Sequence, residues 1–255
     1  MTPDGRLGPR QRADAFAALE RSELDVLVVG GGVTGVGTAL DAVTRGLSVA
    51  LLEQRDFASG TSSRSSKLVH GGLRYLEMLD FGLVREALQE RGLLLTRLAP
   101  HLVRPVPFLY PLTHRGWERA YVGAGLALYD AMATTGRYDR GVPRHRHLLR
   151  RQVRRLAPDF RTDGISGAIQ YYDAQVDDAR LVVTIARTAA RHGALCLNRT
   201  KVTGFLREGE RVTGVRARVV GLLREGERVT GAQVHDLESD RTFDVRAKQV
   251  INATG

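Results

Sequence analysis

The sequence has little cysteine, few aromatic residues and few prolines. Cys196 is the only cysteine among 255 residues, which excludes an internal disulfide framework and a metal site built from four cysteines. So few thiols are typical of the cytosol. Aromatic residues account for 6%, and 28 glycines stand against 8 prolines, without the strict glycine period of collagen.

Long apolar runs are absent as well. No stretch reaches the roughly 18 consecutive apolar residues that would span a bilayer, and the most apolar segment, 121–133, contains Asp130. Residues 1–24 are polar and carry several arginines, so we expect an N-terminal extension without a signal peptide. These features predict a cytoplasmic protein.

The charge balance is basic. Lys and Arg number 38 against 28 Asp and Glu, a net charge of +10, which favours anionic partners such as phosphate esters, nucleotides or an acidic membrane surface. Nothing besides this charge points to nucleic acid, so no nucleic-acid partner is expected. Hydrophobic residues at 43% and charged residues at 26% are typical of a globular protein.

Residues 25–53 predict a strand, a turn, a helix and a second strand. The β-branched run 25–29 is typical of a buried strand, and the apolar spacing over 33–45 predicts a helix that ends at Gly46. A second apolar run, 47–52, ends at Glu53. This order is a βαβ unit.

Glycines fill the turn of this unit at the positions that a dinucleotide requires. Gly30, Gly32 and Gly35 form a Gly-x-Gly-x-x-Gly pattern: the first permits a tight turn, the second lets a pyrophosphate approach, and the third lets the helix pack closely. Glu53 can bind both ribose hydroxyls and would repel a 2′-phosphate, which favours FAD or NAD over NADP. The alternative is a glycine-rich turn beside a surface glutamate.

A loop rich in hydroxyl groups follows. Residues 60–67 combine threonine and serines with Arg64 and Lys67, a composition that suits phosphate or ribityl contacts. The alternative is a solvated loop.

The segment that runs on from this loop resembles a known family. Thr61-Ser-Ser-Arg-Ser-Ser-Lys-Leu-Val-His-Gly-Gly-Leu-Arg-Tyr-Leu-Glu77 is similar to the FAD-dependent glycerol-3-phosphate dehydrogenases. Further matches are the glycine turn 30–35, Arg45-Gly-Leu-Ser-Val49, Glu53, Ala99-Pro-His-Leu102, Tyr129-Asp130, Val176-Asp-Asp-Ala-Arg-Leu181 and Val250-Ile-Asn-Ala-Thr-Gly255. The resemblance covers about residues 25–255.

The resemblance implies an α/β fold with two domains. A Rossmann-like FAD-binding domain of the glutathione-reductase kind, 25–98 with 176–255, would be interleaved with part of an antiparallel substrate domain, 99–175. Family members continue beyond the position of Gly255. We therefore expect this chain to correspond to their N-terminal half and to be inactive alone.

The resemblance also assigns residues to the cofactor and the substrate. The implied FAD contacts are Gly30, Gly32 and Gly35 on the pyrophosphate, Glu53 on the adenosine ribose, Thr61, Ser62, Ser65, Ser66, Lys67 and His70 on the flavin side, Gly72 at a close backbone approach, Val202 near the adenine, and Ala253 and Gly255 where the chain returns to FAD. Arg74 and Tyr75 would face the substrate, because a guanidinium binds a phosphate dianion through two hydrogen bonds. His70 is the candidate catalytic base, with flavin packing as the alternative.

The implied reaction is oxidation of sn-glycerol 3-phosphate to dihydroxyacetone phosphate, with electrons passed to quinone. The arginine-rich segment 137–161 and the apolar stretch 121–133 beside Trp117 would then contact an anionic membrane on its inner face; a solvated basic helix is the alternative. An oxidase of the same fold using O₂ and a catalytically inactive FAD-binding fragment remain open, as does a homodimer. An NAD-binding protein is disfavoured by residues 60–77.

One internal repeat is present. Residues 204–214 recur as 221–231, and the two copies differ only at Phe205 and Leu222. Because a solenoid needs at least about three repeats, we interpret the pair as a local duplication of one hairpin arm.

Overall fold

A computed structural model describes residues 5–114, 116–134, 141–206, 231–236 and 241–255. The chain divides into two compact units. Unit 1 consists of Met1–Ser65 and Asp178–Gly255, and unit 2 of Ser66–Asp177.

Unit 1 is built on one mixed sheet. Its strands are β1 (Leu24–Val29), β2 (Val49–Leu52), β7 (Leu195–Leu197), β8 (Thr200–Leu206), β9 (Gly231–Asp236) and β10 (Arg241–Asn252), and its helices are α1 (Pro9–Arg21), α2 (Val33–Thr44) and α7 (Asp178–Arg191). The strand order is β7-β2-β1-β10-β9-β8. The pairs from β7 to β10 are parallel, and β8, β9 and the first half of β10 form an antiparallel meander.

The predicted βαβ unit and the α/β fold class are confirmed. The first strand and the helix agree with the predicted ranges to within one residue, whereas β2 begins at Val49, two residues later than predicted. Gly46 has a φ of +86° at the end of α2, which is the left-handed conformation of a helix C-terminal glycine.

Apolar residues cover both faces of this sheet. Val26 and Val28 pack with α2 and α7 on one face, and Leu27 packs with α1 on the other. Parallel strands covered on both sides are continuous apolar runs, which explains the run from Leu24 to Val29. Cys196 packs in the same apolar cluster as Val26 and Val28, where burial raises the pKa of its thiol to about 12.

The N-terminal residues contribute to the core of unit 1, although residues 1–24 were predicted to be an extension outside the FAD-binding domain. Ala15 and Leu19 are 2% and 1% exposed and pack with Leu24, Leu27 and Leu52. The Arg12 guanidinium donates a hydrogen bond of 2.6 Å to the Asn198 carbonyl. The amphipathic pattern of α1 therefore covers one face of the sheet.

Unit 2 is built around a single central strand. Its strands are β3 (Leu68–Val69), β4 (Arg104–Leu112), β5 (Arg146–Leu149) and β6 (Gly167–Gln175), and its helices are α3 (Leu73–Glu77), α4 (Phe81–Leu93), α5 (Trp117–Thr134) and α6 (Arg150–Leu156). β6 pairs antiparallel with β4 along its whole length, with β5 at its start and with β3 at its end.

The division into units differs from the predicted domains, whose first boundary lay at residues 98 and 99. Residues 66–98 belong to unit 2 because Leu68 and Val69 pair with the end of β6, and because Val84 and Leu88 of α4 pack against Tyr129 of α5. The helix α4 is followed directly by a π-helical turn, Leu94–Leu98.

Two predictions fall on parts of the chain outside the described residues. Most of the repeat lies in 207–230, and part of the arginine-rich segment lies in 135–140. Among the described residues, no helix combines the length and apolarity needed to cross a membrane.

The role of α1 can be tested through the free energy of unfolding. Replacing the buried Leu19 with alanine should lower it by about 2–5 kcal/mol, the usual cost of truncating a fully buried leucine, as measured by urea unfolding. Leu47, which is 40% exposed in the same unit, provides the matched control, and Leu47→Ala should change stability little. Equal effects of the two substitutions would show that α1 is not part of the folded core.

Candidate functional site

The candidate site lies at the carboxyl ends of the parallel strands of unit 1. Gly30 donates a backbone hydrogen bond of 2.8 Å to Leu52, and Ala253 donates one of 2.7 Å to Val29. These bonds join the ends of β1, β2 and β10 at the turn that leads into α2. Ligands of open α/β sheets bind at this edge.

Two glycines of the turn lie where no side chain fits. Gly30 has a φ of +112°, and a Cβ there would lie 2.5 Å from the carbonyl oxygen of Ala253. A Cβ at Gly35 would lie 1.8 Å from the carbonyl oxygen of Gly30. Backbone therefore contacts backbone at both positions, as the tight turn and close helix packing require.

Gly32 has open space beside it. A Cβ there would meet only the Ser62 hydroxyl, at 3.5 Å, so a bound group can approach the backbone. Gly32 is also the N-cap of α2 and has no side-chain cap. The first N–H groups of a helix lack intrahelical acceptors and form the positive end of its dipole. The Ser62 hydroxyl accepts a hydrogen bond from one of these groups, the N–H of Val33, at 3.0 Å.

Glu53 is fixed beside this turn. One carboxylate oxygen accepts from the N–H of Gly31 and the other from the N–H of Arg55, both at 2.7 Å. A carboxylate has about four acceptor positions, so each oxygen can accept a further hydrogen bond. The backbone of Glu53 is held by Leu197 and Thr200, both at 2.8 Å.

These features fit a dinucleotide. The open space beside Gly32 and the N-terminus of α2 suit a pyrophosphate, and the carboxylate of Glu53 can bind ribose hydroxyls. Such groups bind and orient a cofactor.

The remaining predicted FAD contacts of unit 1 lie in the segment after β2 and in β8. Thr61 and Ser62 belong to a short 3₁₀ helix, Thr61–Ser63. The Ser65 hydroxyl donates to the carboxylate of Asp178, a contact the sequence did not predict. Val202 is half-buried in β8, whose first residue donates to the Glu53 carbonyl.

The last two predicted FAD contacts, Ala253 and Gly255, follow β10. Ala253 is half-buried against the glycine turn, and Gly255 is exposed with a φ of +86°. The Thr254 N–H and hydroxyl both donate to the side-chain oxygen of Asn252, which holds this end of the chain as a turn.

The other predicted site residues lie in unit 2. Ser66, Lys67 and His70 are exposed, and Gly72 is buried with a φ of +73°. Tyr75 is 38% exposed on α3. The side chain of Arg74 lies outside the described part of the structure. The roles of all these residues stay predictions.

Sequence reasoning missed two residues that support the turn. The N–H of Ala58 donates to the Gly31 carbonyl at 2.9 Å, and the Phe57 ring would lie 2.7 Å from a Cβ at Gly31. Both are buried. The only signal was an apolar pair within an otherwise polar stretch.

Comparison with known proteins agrees with this geometry. The chain is 52% identical over 253 residues to a glycerol-3-phosphate dehydrogenase of Mycobacterium leprae, covering 99% of this chain and 40% of the relative. It is 53% identical to a glycerol-3-phosphate dehydrogenase 2 of Mycobacterium tuberculosis, again over 99% and 40%. The chain thus spans about 40% of the length of these curated relatives.

A solved structure of a glycerol-3-phosphate dehydrogenase is also similar to this chain. The glycerol-3-phosphate dehydrogenase from Bacillus halodurans, complexed with FAD, superposes with a TM-score of 0.65 at 30% identity, over 96% of this chain and 37% of that one. Residues 25–255 match the model of a family described as FAD dependent oxidoreductase, which confirms FAD as the predicted cofactor. Because that family model matches nearly the whole chain, the chain belongs to the FAD-dependent oxidoreductase family.

Proposed function

We propose that the protein oxidises sn-glycerol 3-phosphate to dihydroxyacetone phosphate. The observation that carries the proposal is the site at the end of β1, where Gly30, Gly35 and Glu53 form a fixed dinucleotide cradle. The identity of 52% to a glycerol-3-phosphate dehydrogenase supports the substrate. FAD, when bound, supplies the acceptor for the hydride from the alcohol carbon.

The residues of unit 1 bind and orient the cofactor in this proposal. The N-terminus of α2 holds the pyrophosphate through backbone N–H groups and its dipole. Glu53 accepts hydrogen bonds from the ribose hydroxyls. Because its carboxylate is already held by Gly31 and Arg55, little conformational freedom is lost when the ribose binds.

The residues of unit 2 bind the substrate and receive its proton. Arg74 pairs with the phosphate dianion through its fork of N–H donors, with Tyr75 next to it in α3. His70, exposed at the end of β3, is the candidate acceptor for the hydroxyl proton. An imidazole is suited to this step because it exchanges protons near neutral pH.

Quinone is the proposed electron acceptor, reached from a membrane surface on the inner face of the cell membrane. In unit 2, Leu149 and Leu156 are 59% and 50% exposed, and the exposed Arg151, Arg154 and Arg155 of α6 lie between them in the sequence. Phe160, four residues after α6, is 41% exposed. A surface of this kind suits anionic lipid, which attracts basic residues while apolar side chains enter the interface. Trp117 at the start of α5 is also exposed, at 63%.

The alternative acceptor is O₂, as in an oxidase of the same fold. The two are separated by one measurement during glycerol 3-phosphate oxidation by a chain completed to the length of its curated relatives. Hydrogen peroxide released in stoichiometric amount would identify the oxidase, and reduction of a soluble quinone without peroxide would identify the dehydrogenase.

Glu53 can be tested by cofactor retention. Glu53→Ala removes the ribose acceptor and should weaken FAD binding by roughly 1–3 kcal/mol, or about 5- to 150-fold, as measured by fluorescence titration of the protein with FAD. The control is Glu86→Ala, at an exposed position of α4. Unchanged flavin affinity in Glu53→Ala would contradict its role.

Arg74 can be tested by kinetics. In a chain completed to the length of its curated relatives, Arg74→Ala should raise KM for glycerol 3-phosphate while FAD content stays near normal, with a loss of about 2–4 kcal/mol in kcat/KM for a charge-assisted bidentate contact. Arg85→Ala, an exposed arginine nearby in the chain, serves as control. Loss of FAD at constant KM would make Arg74 a cofactor residue instead.

The membrane contact can be tested with vesicles. The double substitution of Arg151 and Arg155 by glutamate should weaken binding to phosphatidylglycerol vesicles by at least about 2 kcal/mol, since each basic residue contributes about 1 kcal/mol. Substituting Arg10 and Arg21 of α1 in the same way alters the net charge equally and should have a smaller effect. If both pairs act alike, only net charge matters and α6 is not the contact.

A further inference from the structure

A buried carboxylate in unit 2 binds three donors through one oxygen. Asp173 Oδ1 lies 2.5 Å from an Arg91 guanidinium nitrogen, 2.8 Å from the Tyr129 hydroxyl and 3.1 Å from the backbone nitrogen of Gly71. The three side chains come from β6, α4 and α5. None of them was singled out from the sequence as a site residue.

This network lies in apolar surroundings. Arg91 and Asp173 side chains are 1% and 7% exposed, and Tyr129 packs with Val84 and Leu88. Burial and the charge of Asp173 raise the pKa of Tyr129 above its ordinary value, so its hydroxyl stays a donor. Because a buried ion pair often adds no stability over apolar residues of the same volume, a role in fixing a particular geometry accounts better for the network.

The geometry that the network fixes is the turn before α3. Gly71 is pressed against the network so closely that a Cβ would lie 2.2 Å from the Tyr129 hydroxyl and 2.3 Å from Leu88. Gly72 then takes a left-handed conformation, φ 73° and ψ 42°, as the N-cap of α3. The orientation of α3 therefore follows from a turn whose first amide is bound to Asp173.

The helix itself carries the predicted substrate residues. α3 contains Arg74 and Tyr75, and its Leu73 and Leu76 pack on the same apolar cluster around Tyr129. A rotation of the turn would break the Gly71 hydrogen bond and move Leu73 out of this cluster. The hydrogen bond to Gly71 and the apolar contacts of Leu73 and Leu76 thus both hold α3 against α4 and α5.

We infer that Asp173, held by Arg91 and Tyr129, is a positioning residue that orients α3 for binding the phosphate of the substrate. The inference rests on the proposed function for its substrate, whereas the orienting role rests on unit 2 alone. Asp173 acts through the Gly71 amide and is not itself a catalytic residue.

Hydrogen exchange and substrate binding test this role in the FAD-loaded protein, completed to the length of its curated relatives. Asp173→Asn keeps an acceptor oxygen but removes the charge, and Tyr129→Phe removes one donor while keeping the ring and the ion pair. We expect amides of residues 71–77 to exchange at least fivefold faster in Asp173→Asn, by mass spectrometry, with residues 178–191 unchanged. The dissociation constant for glycerol 3-phosphate, by calorimetry, should rise at least tenfold at constant FAD content. Tyr129→Phe should show both effects more weakly.

A matched control separates positioning from general loss of an ion pair. Asp163 pairs with Arg150 at 3.0 Å on the surface of the same unit and is 80% exposed, so Asp163→Asn should leave both measurements unchanged. Exchange at 71–77 that stays at the original rate, or that rises equally at 178–191, would overturn the inference. If Asp173→Asn does not fold, Tyr129→Phe decides: faster exchange at 71–77 with residues 178–191 unchanged supports the inference, and an unchanged rate at 71–77 overturns it.

The proposed function is tested separately by the unsubstituted protein. If it binds no glycerol 3-phosphate while exchange at 71–77 still responds to Asp173→Asn, the proposed substrate is wrong and the orienting role of Asp173 stands. If it binds glycerol 3-phosphate and neither exchange nor affinity responds, the proposed function stands and the inference fails.

Discussion

The candidate cofactor site depends on how closely the backbone of α2 approaches the turn after β1. A methyl group at Gly35 would overlap the Gly30 carbonyl, at 1.8 Å, and accommodating one would push the helix away from the strand. The N-terminus of α2 would then no longer lie beside Glu53, whose carboxylate accepts from Gly31 at 2.7 Å. The N-terminus of α2 and the carboxylate of Glu53 therefore lie side by side only because Gly30 and Gly35 carry no side chains.

Local features of this site could be predicted from the sequence. The strand, the glycine turn and the helix are specified by residues close together in the chain, through apolar runs and the spacing of Gly30, Gly32 and Gly35. The start of β2 was less well predicted, because Leu47 is apolar but 40% exposed and an apolar residue alone does not distinguish a strand from the loop before it.

Features that depend on distant pairing could not be predicted. Gly71 and Asp173 are 102 residues apart, and no local pattern links them. The two residues of β3 join β6 in the same way, and a strand of that length has no detectable period. The position of α1 on the sheet could not be predicted for a related reason: residues 1–24 are mostly polar, and the few apolar residues among them do not show which surface they cover.

The sheet of unit 1 also has a consequence for synthesis. β10 pairs with β1 in parallel, residues 247–252 against 24–29, and its earlier half pairs with β9. The central strand β1 therefore lacks one of its two neighbours until the ribosome has made Asn252, whereas unit 2 is a continuous segment, Ser66–Asp177. Because domains fold as units during translation, unit 2 can complete its fold first. The apolar residues of 24–52 stay without their full sheet while roughly 200 further residues emerge, about 10–40 s at ordinary elongation rates. During this interval the edge of β1 that later pairs with β10 has no partner, and an unpaired strand edge is prone to aggregation.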